Sequence, residues 1–215
     1  MENICRREHS EVPAFVVTCV EEIEARGLDT DGLYRTSGNL AQVQKLRCMV
    51  DQGQAIAWDK WEIAVLTGAL KMFFRELRDP LITTEVYDQL TEYATRPDLR
   101  RSLDPAGREA YLRKCLNMLP EVHFSTARFL FGHFVRVLEH SSSNRMELQS
   151  LAIVVAPNLM APHTDVRSVA THALLQKYIA EDLIQFYYNI FYTPSKSNGY
   201  SNGKHHSFEN GNKEN

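Results

Sequence analysis

The stretch Trp61-Glu-Ile-Ala-Val-Leu-Thr-Gly-Ala-Leu-Lys-Met-Phe-Phe-Arg-Glu76 decides the fold. Ile63, Val65, Leu66, Ala69, Leu70, Met72, Phe73 and Phe74 put apolar side chains on nearly every side of a helix, the pattern of a helix enclosed by others. Asp79-Pro80 breaks it. Two cations interrupt the apolar surface near its C-terminal end, Lys71 and Arg75, and their spacing of four places them on one face. Like charges on a core helix are costly unless paired or solvated. Two readings stand at this point. Either the pair snorkels and is answered by Glu76 or Asp79, or it is a positive patch facing an acidic or phosphate-bearing partner.

The flanking sequence also reads as helix. Val12, Phe15, Val16, Cys19, Val20 and Ile23 keep helical spacing, with Ser10 as N-cap, Pro13 in the first turn and Gly27 at the end. Leu40, Val43, Leu46 and Val50 form the next stripe, opened by an Asn39/Gln42 capping box. A shorter helix is predicted over Thr84 to Thr95, and Asp104-Pro105 starts another. Ser125 is expected to open the next apolar helix, followed by a polar turn at Ser141 to Asn144. The following helix is expected to end at Pro157, leaving Asn158 just past it in a turn. The last helical region runs from about Val166 to Phe191, interrupted near His172-Ala173, with Leu174, Leu175, Ile179, Leu183 and Ile190 facing inward. No alternating strand of length six survives, and the best candidate, Ala152 to Ala156, follows helical spacing. The class is all-α: one domain over 4–192, then a Ser-, Asn-, Gly- and Lys-rich tail at 193–215 expected to be disordered.

Composition narrows the function. The 215 residues carry a formal net charge of -3, so the chain as a whole is no polycation for nucleic acid. It contains no apolar run of about 18 residues that would span a membrane, and no apolar leader follows Met1. The four cysteines, Cys5, Cys19, Cys48 and Cys115, form no zinc spacing. Cys19, Cys48 and Cys115 fall at apolar-looking positions, as reduced thiols of a cytoplasmic protein would. The eight histidines fit no metal pattern, so no metal site is expected. Phosphate-binding glycine loops and the nucleophile elbow are missing from the sequence. Residues 96–114 hold a local excess of three positive charges, which serves as a solvated face or steers an acidic partner.

The loop Asp31-Gly-Leu-Tyr-Arg-Thr-Ser-Gly-Asn39 lies between two amphipathic helices and carries one cation, Arg35. Its glycines permit unusual dihedrals and close approach to another molecule. An arginine lifted on such a loop suits entry into a partner's phosphate site. Most loop arginines, though, are solvated or pair with a local acid, here Asp31.

Three ordered blocks together resemble the RhoGAP domain, the GTPase-activating module for Rho-family small G proteins. Gly-Leu-Tyr-Arg-Thr-Ser-Gly at 32–38 is similar to its arginine-finger loop. Leu-Lys-Met-Phe-Phe-Arg-Glu-Leu-Arg-Asp-Pro-Leu at 70–81 is similar to its LK-x-FFREL-PEPL block, and Leu-Ala-Ile-Val-Val-Ala-Pro-Asn-Leu at 151–159 to its LA-x-VF-x-PNL block. The wording around residues 37–47 is closest to a subgroup that often carries SH3, WW and PH modules. The resemblance implies eight or nine helices around a four-helix core. It implies that Arg35 is the arginine finger, that Lys71 faces the G protein, that Arg75 braces the finger loop, and that Asn158 bonds to the G protein's switch region. It also implies a monomer that binds a Rho-family G protein in its GTP form and needs no cofactor of its own, since GTP and Mg²⁺ belong to the partner. The expected setting is cytoplasmic, with any membrane recruitment through a partner. A catalytically weak G-protein-binding or scaffold module with the same fold is the alternative. Arg78 stands where the family usually has proline, and Val155-Ala156 replaces its usual Phe-Gly.

Overall fold

The computed structural model describes residues 1–96, 104–162 and 169–192. Among these the chain forms eleven α-helices: α1 Glu2–Glu8, α2 Ala14–Arg26, α3 Leu40–Asp51, α4 Ile63–Arg75, α5 Thr84–Thr95, α6 Pro105–Leu116, α7 Glu121–Glu139, α8 Ser141–Asn144, α9 Leu148–Leu159, α10 Val169–Gln185 and α11 Tyr187–Phe191. A 3₁₀ turn, Trp58–Lys60, precedes α4. The count exceeds eight or nine because α1, α8 and α11 are single or double turns too short for periodicity to register. The described residues contain no strand. The segment 152–156 is helical, and the β-type pairing present is one parallel bridge, Ile82 with Met160. The expected tail at 193–215 lies outside the described residues.

α4 is enclosed as its composition requires. It packs on α2, α3 and α9, α9 packs in turn on α10, and α10 packs on α5 and α7. Leu66, Leu70 and Phe74 are buried, each contributing about 2 kcal/mol of transfer free energy.

Several sequence expectations are corrected by local chemistry. Ser10 does not cap α2. The helix starts at Ala14, whose N–H is taken by the Glu8 carboxylate from α1 (2.8 Å). Asn39 does cap α3, accepting from Gln42 N (3.2 Å), though only this half of the capping box forms among the described residues. Asp104 accepts from Gly107 N (2.7 Å) beside a first-turn proline, as its sequence predicts. Ser125 lies buried inside α7, which begins at Glu121 directly after Pro120. His172-Ala173 interrupts nothing. The break falls at Phe186, and Leu174 is exposed while His172 is buried. Cys48 is exposed, whereas Cys5, Cys19 and Cys115 are buried.

α9 does not stop at Pro157. It runs through the proline to Leu159, so Asn158 sits in the last turn rather than past the end. The ring removes an interior hydrogen bond, a penalty of about 3 kcal/mol. Two effects offset it. Val155, Ala156 and Leu159 are buried, and the Asn158 amide donates to the Val154 (2.9 Å) and Val155 (3.3 Å) carbonyls. The Leu159 carbonyl then accepts from Ile82 N (2.9 Å), which ties the end of α9 to the chain leaving α4.

Candidate functional site

The loop between α2 and α3 has two faces of opposite character. Leu33 and Tyr34 are buried to 2% and 1% exposure, while the Arg35 side chain is 52% exposed. Tyr34 achieves this at a positive φ of 69°, a backbone state that disfavours a bulky residue. Gly32 precedes it at φ 65° and donates its N–H to the Asn144 carbonyl (2.8 Å). The Arg35 and Thr36 N–H groups both return to the Gly32 carbonyl (2.8 Å each), closing the turn. Gly38 sits so near α4 that an added Cβ would lie 2.4 Å from the Ala64 carbonyl oxygen. Only glycine permits that approach.

Tyr34 is held from both ends. Its hydroxyl meets His133 Nε2 (2.7 Å), and His133 Nδ1 meets Glu24 Oε1 (2.7 Å), which also accepts from Arg136 Nε (2.7 Å). A carboxylate only accepts, so Nδ1 carries the proton; in the neutral ring Nε2 then accepts from the Tyr34 hydroxyl. Burial, partly opposed by Glu24, keeps the His133 imidazole below its ordinary pKa. For Glu24 burial pushes upward, but the hydrogen bonds from His133 and Arg136 win and the carboxyl stays below its ordinary value. Burial pushes the Tyr34 phenol well up, aided by Cys19 and Glu24. At the other end, Lys71 Nζ donates to the Tyr34 carbonyl (2.6 Å). Burial, and then the charge of Arg75 one turn on, lower the Lys71 ammonium below the usual lysine value.

These contacts bear on the snorkelling reading of the cation pair. Neither expected acid answers the pair among the described residues: Glu76 pairs with Arg47 (2.8 Å), and Asp79 makes no ion pair with Lys71 or Arg75. The brace on the loop is Lys71, whereas the resemblance assigned that contact to Arg75. Arg75 is exposed and makes no hydrogen bond or ion pair among the described residues. Asp31 lies 3.8 Å from Arg35 but is held mainly by Arg145, whose Nε reaches it at 2.7 Å.

A hollow of about 300 Å³ gathers the pieces. Ser37 and Gly38 of the loop, Leu40 of α3, Lys71 and Arg75 of α4 and Asn158 of α9 line it. Three of the four residues singled out in the sequence therefore share one hollow, and the fourth, Arg35, stands two residues from its rim. Leu40 (62%) and Ile153 (56%) add exposed apolar surface on α3 and α9. Sequence reading missed Tyr34, His133, Glu24, Asn144 and Arg145. A histidine on the apolar face of α7 was the available signal. Among the described residues no group of three or more acidic, histidine or cysteine side chains is placed to hold a metal, and no helix is long and apolar enough to cross a membrane.

Known proteins are similar to this chain in sequence and fold. Rho GTPase-activating protein 15 of Mus musculus is 40% identical over 194 residues, covering 89% of this chain and 39% of that protein. Rho GTPase-activating protein 27 of Homo sapiens is 42% identical over 191 residues, covering 87% of this chain and 21% of that protein. The chain thus spans well under half the length of these relatives. The crystal structure of human Rho GTPase activating protein 15 superposes with a TM-score of 0.80 at 39% identity, covering 88% of this chain and 89% of that one. The BH domain from GRAF, the GTPase regulator associated with focal adhesion kinase, gives a TM-score of 0.71 at 26% identity, covering 84% and 94%. The RhoGAP domain family matches residues 13–164, a span that holds the loop, the braced lysine and the proline-interrupted helix. With that match, the chain belongs to the RhoGAP domain family.

Proposed function

We propose that this chain accelerates GTP hydrolysis by a Rho-family small G protein, in its GTP form, by inserting Arg35 into the partner's active site. The observation that carries the reading is the two-faced loop. Tyr34 is fixed inward while Arg35 projects outward beside the hollow formed by Lys71, Arg75 and Asn158. The G protein supplies GTP, Mg²⁺ and the attacking water. As the bond to the γ-phosphoryl group breaks, negative charge grows on the bridging and γ oxygens. A guanidinium delivered into that water-poor site meets the growing charge more strongly than the ground state, so the barrier falls. Because the loop is fixed before docking, little ordering entropy remains to be lost when Arg35 enters. Arg75 and Asn158 offer polar contacts to the partner, with Leu40 and Ile153 as apolar ones. Lys71 acts mainly by holding the loop.

The test is a single-turnover GTPase assay on a panel of Rho-family proteins, with binding to the GTP-analogue form measured alongside. Arg35→Ala removes on the order of 10³-fold of the acceleration, a magnitude general to arginine fingers rather than obtained from this structure. Binding stays within a few fold. Wild-type protein that binds without accelerating any panel member would instead make this a binding module. Equal acceleration by Arg35→Ala would remove the finger.

A further inference from the structure

Two guanidinium groups reach toward one carboxylate at the base of the loop. Asp31 Oδ1 lies 2.7 Å from Arg145 Nε, and Arg145 Nη2 bonds to Oδ2, so Arg145 grips both oxygens in a fork. Arg35 Nη2 approaches the same Oδ1 only to 3.8 Å, outside hydrogen-bond range. Asp31 and Arg35 are four residues apart across a tight turn, close enough for a full ion pair when Arg145 does not compete for the carboxylate. Arg145 is not there by chance rotation of a long side chain. It takes a positive φ of 57° after α8, and its N–H returns to the Ser141 carbonyl (2.9 Å). The neighbouring Asn144 is buried, donates to the Leu28 and Val137 carbonyls (2.8 Å each), and accepts Gly32 N–H on its own carbonyl. The backbone carrying Arg145 is therefore stapled to the backbone carrying Asp31.

We infer that Arg145 is a positioning residue that occupies Asp31 and so keeps Arg35 available to the partner. The inference rests on Arg35 acting as the finger. Without Arg145, Asp31 captures Arg35, and each turnover must first break that pair. The contact is solvent-exposed, with Asp31 at 51% and Arg145 at 69%, so the effect is modest and falls with salt. Arg145→Ala lowers the maximal rate about two- to fivefold while leaving half-saturation by the G protein unchanged, and 0.5 M salt shrinks the defect. Asp31→Asn alone stays at or above the wild-type rate, and the double variant returns to the Asp31→Asn level. If the Asp31–Arg145 bond merely stiffened the loop, Asp31→Asn would be as slow as Arg145→Ala. That result, or a wild-type rate for Arg145→Ala, overturns the inference. A second readout does not depend on activity. Arg35 side-chain N–H exchange, followed by NMR, slows in Arg145→Ala and not in the double variant. Failure of the finger itself is seen separately, as full activity in Arg35→Ala.

Discussion

The basic stretch at 96–114, of which residues 97–103 lie outside the described residues, and the cations around the loop look alike as sequence, and the fold treats Arg108 and Arg113 differently from the loop cations. On α6 both arginines are committed to other helices. Arg108 donates to Asp182 (2.7 Å) and to the Tyr93 hydroxyl (3.0 Å), and its guanidinium lies 5.0 Å from the Phe186 ring centroid. Arg113 clamps the Asn189 carbonyl (2.6 and 3.2 Å), and Arg96 pairs with Glu92 (3.6 Å). Arg108 and Arg113 hold α5, α6, α10 and α11 together, while the Arg96 contact stays within α5 and its end. Around the loop the nearby acids are each engaged elsewhere: Glu76 with Arg47, Asp31 with Arg145, Glu24 with His133 and Arg136. Arg75 faces solvent with no carboxylate partner among the described residues, and Arg35 faces solvent with Asp31 no nearer than 3.8 Å. A local charge excess is thus no guide to a partner site. What matters is whether the fold has already supplied each cation with a carboxylate.

The largest effect expected from this contrast is on stability. Arg108→Ala leaves the nearly buried Asp182 carboxylate, 3% exposed, without its guanidinium. Unfolding free energy in urea should drop by about 3 kcal/mol, the range for breaking a buried pair. The rate per folded molecule should not change. Arg75→Ala should do the reverse, with a stability change within about 0.5 kcal/mol and weaker binding of the G protein. Equal destabilisation by the two would erase the distinction between committed and free cations.

A tenfold effect is expected where one cation serves both ends. Lys71→Met keeps an unbranched aliphatic stem but removes the 2.6 Å bond to the Tyr34 carbonyl. Charge-assisted hydrogen bonds contribute about 1.5 kcal/mol or more, so the maximal rate should fall about tenfold as Tyr34 and Arg35 lose their fixed register. Rate measured against G-protein concentration separates this from a binding defect. An unchanged maximal rate with raised half-saturation would make Lys71 a partner contact after all.

Much of this was legible beforehand because it rests on local pattern. The enclosed α4, the Asp104 cap and the span Thr84–Thr95 follow from periodicity and capping chemistry. Arg35, Lys71, Arg75 and Asn158 stood out as cations or turn residues in unusual company. What escaped was long-range or offsetting. Pro157 signals a stop only while the burial of Val155 and Leu159 and the Asn158 back-bonds are unknown. Ser10 looked like a cap because the true one, Glu8, comes from a separate helix. Tyr34, His133 and Glu24 lie on three segments, and no spacing rule joins residues 24, 34 and 133. Sequence spacing puts Lys71 and Arg75 on one face but does not say which of the two reaches the Tyr34 carbonyl, and here it is Lys71.

The smallest effect separates the two regions by pH. His133 is buried neutral, with its imidazole held below an ordinary value of about 6.5. The unfolded chain therefore binds a proton there before the folded one does. Its stabilising contribution is complete above that ordinary value and is lost as pH falls through the lower folded value. Glu24 is also depressed, from an ordinary value of 4.5, so its contribution is present above 4.5 and lost as pH falls through its own folded value. The two losses have the same sign and occupy successive windows on acidification. Among the described residues the Arg108 cluster of Asp182, Tyr93 and Phe186 holds no imidazole. Urea midpoints measured from pH 8 to pH 5 should decline in the wild type and flatten over the upper window in His133→Gln, while Arg108→Ala keeps the wild-type slope from a lower starting point. A slope that survives His133→Gln would place the titrating group elsewhere. It would leave the Tyr34 hydroxyl held by a bond that pH does not move, and the inner face of the loop as insensitive to acid as α6.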